Sequence, residues 1–388
     1  MYRKLLPLLL LVLAFPASAD AAKFTLKPAN PGLAAKASAL GADGLVTASV
    51  AGVLNDANRD ATYGASCSTS AFGSIAAAAD RWCFQSDDTT TTQWIPQGVT
   101  TNADSGAGPG ALAVSWYDDK DAPEKGIRLT ILNPATGKYR LVLLVVPWTN
   151  TKNHASYKAI DIHAGGIAWR GNYLYVADTT YGLRVFDTSK IYDLAASPAG
   201  NTGDESQIGR HNNKYYAFGY RYILPQVGSY DVTGARNDGN FNCKAGQNIK
   251  FSAVAIDHSG ATPYLEASEY CSSGARGRVA KWVMNPDGSL KLGGKGRARS
   301  VASYTLPVQR IQGAVSRGNI WYLSQSNGGS SNGRLIKATV SPGALRAAGP
   351  GKRVGIGPED LSYDVAAHKV WTVTEHAGKR VLYATHVK

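Results

Sequence analysis

From Ala159 to Ile191 the chain reads AIDIHAGGIAWRGNYLYVADTTYGLRVFDTSKI. Three short apolar segments, GGIAW, YLYVAD and LRVFD, are dense in β-branched and aromatic residues and are separated by Gly and Asn turn chemistry. This pattern predicts three consecutive strands of one antiparallel meander. Laying the rest of the chain against it finds similar units elsewhere. WIPQGVTT, ALAVSWYDD, IRLTILNPATG and YRLVLLVVP form the first, from Trp94 to Trp148. The opening stretch is the second, with YRYILPQVGSY, Tyr220 to Tyr230, as its outer strand. The third runs from Phe251 to Pro307, the fourth from Ile311 to Gly357, and the last, PEDLSYDVAAH, KVWTVTEHAG and RVLYATHV, has only three strands.

Outside the first residues no apolar face of period 3.6 is sustained over three turns, while dipeptides such as Pro286-Asp287 punctuate alternating segments. The expected fold class is therefore all-β, a β-propeller over residues 94–388. Five blades can be counted, and six if residues 41–95 hold a degenerate one. A three-stranded last unit leaves an open edge, so an N-terminal strand, near Leu45 to Val50 or near Trp82, is expected to complete it. In the lead-in, 20–93, residues up to about 40 read as irregular. A strand is expected between Gly41 and Val53, a short helix at Ala71 to Ala79 and another strand at Arg81 to Ser86.

The first residues change the picture of where this fold works. Arg3 and Lys4, an apolar run and then Ala17-Ser18-Ala19 read as a secretory signal over 1–19, too short to span a bilayer as an ordinary helix. No later apolar run of membrane-spanning length follows, so an exported protein without a membrane anchor, and a monomer, is expected. Four cysteines in an exported chain favour disulfides over a metal or a catalytic thiol. Of three connectivities, Cys67 to Cys83 with Cys243 to Cys271 costs least in loop closure. The net charge of +13 falls to +11 once Arg3 and Lys4 leave with the signal. Such a surface attracts anionic cell-wall polymer or acidic polysaccharide. No Lys/Arg run exceeds two residues, so no specific nucleic-acid partner is indicated.

In a propeller blade the inner strand starts, and the second strand ends, on one face of the disc. Those positions converge on the mouth of the central channel. They are Gln97, His163, Ser252, Gln312 and Glu359 from the inner strands, and Asp118, Asp178, Glu269, Gln325 and Glu375 from the second strands. So many carboxylates against one imidazole call for a proton, a cation or a basic ligand. Glu359-Asp360 and Glu375-His376 are neighbours on a strand, so one of each faces the channel. A second cluster, HNNKYYAFGYRY, holds His211, Tyr215, Tyr216, Tyr220, Arg221 and Tyr222, and suits sugar stacking and carboxylate recognition. GSSNG at Gly329 to Gly333 matches Gly-x-Ser-x-Gly without the strand-to-helix elbow that motif needs. No P-loop, dinucleotide fingerprint or His-Glu-x-x-His is present.

The units GIAWRGNYLYVADTTYGLRVFDTSKI and GPEDLSYDVAAHKVWTVTEHAGKRVLYATHV resemble secreted bacterial propellers of the LVIVD and YVTN repeat type and, more loosely, gluconolactonase-like propellers. The latter resemblance implies a calcium ion in the channel, with Glu359 at the glutamate position and Gln97, Gln312 and His163 where asparagines stand. Five-bladed glycosidases carry three inner-strand acids, of which this chain offers Glu359.

The leading functional expectation is a secreted carbohydrate-active enzyme acting on an extracellular acidic glycan at the channel mouth. Its catalytic set is His163, Glu359, Asp178, Glu375 and Glu269, and its substrate-binding set Gln97, Gln312, Asp118, Arg221, Tyr220 and Tyr222. A hydrolase uses two of the carboxylates as acid and base. A uronate lyase uses His163 or a tyrosine as base, with Arg221 neutralising the carboxylate. The alternatives are a non-catalytic lectin-like or wall-binding propeller and a calcium-dependent lactonase or phosphoesterase.

Overall fold

The computed structural model describes residues 23–101, 104, 110–120 and 124–387. The expected signal, 1–19, lies outside the described residues. The fold is all-β, and its sheets are antiparallel meanders at the predicted places. The first comprises Trp94–Thr101, Leu112–Asp118, Ile127–Leu132 and Lys138–Thr149. The second is Ile167–Arg170, Tyr173–Asp178, Gly182–Asp187 and Tyr222–Val232. Ala253–Asp257, Tyr264–Ser268, Arg278–Val283 and Ala302–Thr305 follow. Next come Ile311–Arg317, Ile320–Gln325 and Asn332–Ser341, whose outer edge is shared by Ala344–Ala347 and Lys352–Ile356. The last meander is Ser362–Asp364, Lys369–Val373 and Val381–His386.

The first strands of these meanders touch one another in chain order, and the last returns to the first. They form a closed inner ring. Each meander buries a tryptophan between its neighbours, namely Trp116, Trp169, Trp282, Trp321 and Trp371. The Gly165-Gly166 pair of the HAGGIAW segment shows how tightly the ring is drawn. A Cβ on Gly165 would stand 2.1 Å from the Ser252 carbonyl oxygen, and one on Gly166 would stand 2.4 Å from the Val254 nitrogen. Only glycine permits that approach.

The open edge of the last meander is closed as expected near Trp82. Arg81–Cys83 pairs antiparallel with Val381, Leu382 and Tyr383, and Thr62–Tyr63 pairs on its far side. Both local disulfides form, and Cys67–Cys83 ties this closing strand to the loop before it. Because that bridge closes a loop of 16 residues, the chain-entropy model assigns it about 3 kcal/mol. Cys67→Ser with Cys83→Ser is expected to lower the urea midpoint accordingly, whereas Ser→Ala at exposed, unpaired serines should shift it by the equivalent of less than about 0.5 kcal/mol.

The rest of the lead-in departs from expectation. Residues Leu33–Ala42 are helical rather than irregular, burying Ala37 and Leu40. Between Gly41 and Val53 the strand is limited to Val46–Ala48. Ser49 then caps a helix, Val50–Asn55, by accepting a hydrogen bond from the Gly52 N–H. Ala71 to Ala79 holds turns and no helix. Thr25–Ala29 adds to the outer edge of Tyr222–Val232, which also runs parallel to Val142, Leu143, Leu144 and Val145 and so joins the first two meanders. Among the described residues no helix is long and apolar enough to cross a membrane.

Candidate functional site

One end of the inner ring gathers a carboxyl pair. Glu359, at the start of the last meander, is 1% exposed and stands beside Glu375, just after that meander's second strand. The Gln312 amide donates to Glu359 Oε1 at 2.9 Å, and the Gln97 amide donates to Glu375 Oε2 at 3.2 Å. Burial, and next the neighbouring Glu375, hold the Glu359 carboxyl well above the ordinary glutamate range. The Glu359 main-chain carbonyl is fixed by the Ser324 and Thr372 hydroxyls.

Aromatic rings and polar groups flank the pair. Tyr117 and His163 lie ring against ring with centroids 4.6 Å apart, and Phe241 meets His163 at 6.3 Å and Tyr270 at 5.2 Å. His163 is exposed to solvent, with protein atoms crowded around the ring. That crowding lowers its imidazole to about 4 against a small opposing pull from Asp119, so the ring is neutral at neutral pH. Burial, then Asp119, Glu375 and Glu359, raise the Tyr117 hydroxyl. Burial, then Glu359, raises that of Tyr270. Arg310 acts on Tyr270 in the opposite sense. Arg310 is exposed, has a left-handed backbone with φ 62°, and has no carboxylate partner among the described ion pairs.

The inner-strand expectation is met by Gln97, Gln312 and Glu359, and shifted in the second meander. Asp360 Oδ2 accepts from both the Val99 N–H, 3.2 Å, and the Ile167 N–H, 3.0 Å. Val99 and Ile167 are thus equivalent, and the residue matching Gln97 is Gly165, not His163. His163 reaches the mouth from the preceding loop instead. Ser252 is buried with an unpartnered hydroxyl, and the Gln325 amide donates to the Gln309 carbonyl.

The second-strand expectation holds for Glu375 alone. Asp178 accepts from Arg184 and from the Thr180 and Tyr181 N–H groups. Glu269 takes a two-pronged bond from Arg278 and the Lys250 N–H, and Asp118 accepts from Gln93 and the Lys120 and Lys125 N–H groups. These three acids brace the turn into the third strand of their own meander, and we drop them from the catalytic and binding sets. Glu375 escapes because Arg380, at the corresponding place, donates to the Glu375 carbonyl and to the Asp88 and Thr91 carbonyls, leaving the Glu375 carboxyl free to turn inward.

Arg221, Tyr220 and Tyr222 also leave the mouth. Arg221 pairs with Asp193 at 2.8 Å and Asp56 at 2.6 Å, Tyr222 donates to Asp56, and the Tyr220 hydroxyl accepts from Arg128. Tyr215 and Tyr216 belong to a hairpin, Ile208–His211 with Lys214–Ala217, whose Tyr215 stacks on Tyr157. The residues that sequence reading missed are Tyr117, Phe241, Tyr270 and Arg310. Tyr117 is one position from the predicted Asp118 and Tyr270 one from Glu269, on the opposite side of each strand end. Phe241 and Arg310 lie on connections without a repeat to reveal them.

A calcium ion does not suit this arrangement. Both glutamines turn N–H donors toward the carboxyl pair, whereas calcium takes six to eight oxygen donors. Among the described residues no group of three or more His, Cys, Asp and Glu is placed to hold a metal.

No family model matches the chain, and no curated protein matches it. Among solved structures it is similar to a GH43 enzyme from Xanthomonas citri complexed with xylotriose, at 11% identity and a TM-score of 0.35, covering 91% of this chain and 93% of that one. It is also similar to CoXyl43, a GH43 β-xylosidase/α-arabinofuranosidase from a compost metagenome, at 9% identity and a TM-score of 0.34, covering 77% and 92%. A third is the Cps50 (Swd1) β-propeller domain of Myceliophteria thermophila, at 11% identity and a TM-score of 0.32, covering 77% and 99%. Likenesses of this size carry no statement about chemistry.

Proposed function

We propose that the protein is an exported five-bladed β-propeller that cleaves an acidic extracellular glycan at its channel mouth, by elimination at a uronate unit. The closed ring of five inner strands supports the blade count, and the two disulfides support an oxidising compartment. The observation that carries the chemistry is the buried Glu359 carboxyl set beside Glu375, with the Gln312 and Gln97 amides donating to the two acids. Glycosidases that use two carboxyls hold them about 5–9.5 Å apart to admit the sugar carbon or a water. Two carboxyls that act directly on each other, as Glu359 and Glu375 do, favour a closer arrangement. It offers instead a proton-bearing carboxyl, two amides and, in Arg310, an uncommitted guanidinium, which together suit a substrate carboxylate.

In this reading Arg310 binds the uronate carboxylate, and hydrogen bonds from the Glu359 side withdraw its charge, which acidifies the hydrogen on the adjacent carbon. Neutral His163, oriented by the Tyr117 ring, takes that proton. The carbon–oxygen bond to the next sugar breaks, a carbon–carbon double bond forms, and the departing oxygen takes a proton from the imidazolium. The test is incubation with a panel of polyuronates and neutral glycans, reading ultraviolet absorbance of unsaturated ends beside reducing ends. Absorbing product from a polyuronate is expected, with kcat lost in His163→Ala and KM raised at least tenfold in Arg310→Gln. Reducing ends without absorbance, or glycan binding without any product, would overturn the proposal.

A further inference from the structure

A cavity of about 260 Å³ opens between the third and fourth strands of the first meander and the segment that follows the Tyr215 hairpin. Its wall carries Arg59, Lys125, Arg128, Arg140 and Arg221 against a single carboxylate, that of the exposed Glu205. The acids that balance these arginines are Asp87, Asp88, Asp56 and Asp193. None of them lines the cavity.

The ion pairs leave donors over. Arg59 commits only Nη1, to Asp87 and Asp88, and Arg140 commits only Nη1, to Asp56. Arg128 is 5% exposed and bonds Asp88 and Tyr220 through its terminal nitrogens, while its Nε has no partner. Lys125 has no carboxylate among the described ion pairs, and its ammonium stands 5.8 Å over the Phe218 ring. Burial, and among its neighbours the Arg221 charge, lower the affinity of Arg140 for its own proton, which an anion in the cavity would relieve. Phe218 and Tyr220 supply apolar surface beside these donors.

We infer that this cavity is a second binding site, for the carboxylate or sulfate group of a single acidic sugar unit, separate from the channel mouth. The volume fits one monosaccharide, the ring faces suit its apolar side, and the guanidinium forks suit a planar or tetrahedral oxyanion. The site is independent of the elimination chemistry proposed above, since it shares none of the mouth residues.

Titration calorimetry at fixed ionic strength tests it, with galacturonate, inorganic sulfate and glucose as separate probes and sodium chloride as the control. Galacturonate, sulfate or both should bind the wild type, and glucose should not. In an Arg310→Gln background, which removes uronate binding at the mouth, this binding should persist and should fall at least tenfold on adding Arg140→Gln or Lys125→Gln. Lys125→Gln removes no ion pair, so its loss of binding is readable even where Arg140→Gln unfolds. Binding of galacturonate alone identifies a uronate site, and of both anions a general oxyanion site. Heats matching the chloride control, or affinity unchanged in Lys125→Gln, would overturn the inference. Loss of glycan cleavage in the mouth variants with anion binding intact separates this site from the proposed activity.

Discussion

Glu359→Gln is expected to slow turnover and, above mildly acidic pH, to stabilise the protein. Glu359 is fully buried beside a second carboxyl, and its folded-state affinity for protons is raised well above that of the unfolded chain. The folded state therefore holds a proton that the unfolded state releases once pH passes the ordinary glutamate value. The contribution of Glu359 to stability is fully present below about pH 4.3 and declines as pH rises toward the folded-state pKa. Glutamine keeps the shape, accepts from Gln312 and donates to Glu375 without a titrating proton. The variant should melt higher than the wild type at pH 8 and equally near pH 4. Its kcat should drop by about 10–10²-fold, the worth of one hydrogen bond to the substrate carboxylate. Higher stability with reduced activity is the signature of a site strained for function. A melting temperature that falls at pH 8, or an unchanged kcat, would remove Glu359 from the mechanism.

The largest loss of stability is expected from Lys281→Met. Lys281, on the third strand of the third meander, contacts Asp257 Oδ2 at 3.0 Å and Glu266 Oε1 at 2.9 Å, and also the Ser316 hydroxyl on the inner strand of the next meander. Glu266 and Ser316 are fully buried, and the Ser316 N–H donates to Glu266 at 2.7 Å. Burial works against the lysine charge, yet Glu266 and Asp257 outweigh it and hold the ammonium above its usual range. Methionine keeps the apolar stem and leaves two carboxylates without their cation. Breaking such a buried cluster costs about 3–5 kcal/mol, read as a lower urea midpoint with an unchanged slope. Adding Glu266→Gln should recover part of the loss, because one stranded charge is removed. A midpoint within experimental error of the wild type would show that the cluster does not hold these meanders together.

The contrast between these two sites explains which candidate residues could be read in advance. Repeat position alone selected Asp118, Asp178 and Glu269 together with Glu375. What separates them is their partner: Arg184 and Arg278 bond carboxylates, whereas Arg380 turns to carbonyls and frees Glu375. That choice depends on Asp88 and Thr91, nearly 300 positions away from Arg380 along the chain. No local pattern encodes it. Arg221 was similarly attractive beside its tyrosines, but Asp193 and Asp56 lie within reach only once the chain has folded back.

The sequence by itself determined the strands, their grouping into repeated meanders, both disulfides and the closure of the last meander near Trp82. Each of these follows from alternation of apolar residues, turn chemistry or short-range loop closure, which act within a few tens of residues. It also carried Gln97, Gln312 and Glu359 to the mouth, because an inner-strand start falls at the same place in every repeat. Tertiary structure alone decided that Gly165 and not His163 occupies that place in the second meander, since the reason is the carbonyl of Ser252 from the next strand. It alone set Glu359 beside Glu375 and brought Arg310 and Tyr270 near them. The raised proton affinity of Glu359 arises from its burial and its neighbour Glu375, which are properties of the packed ring and not of either residue's place in its strand.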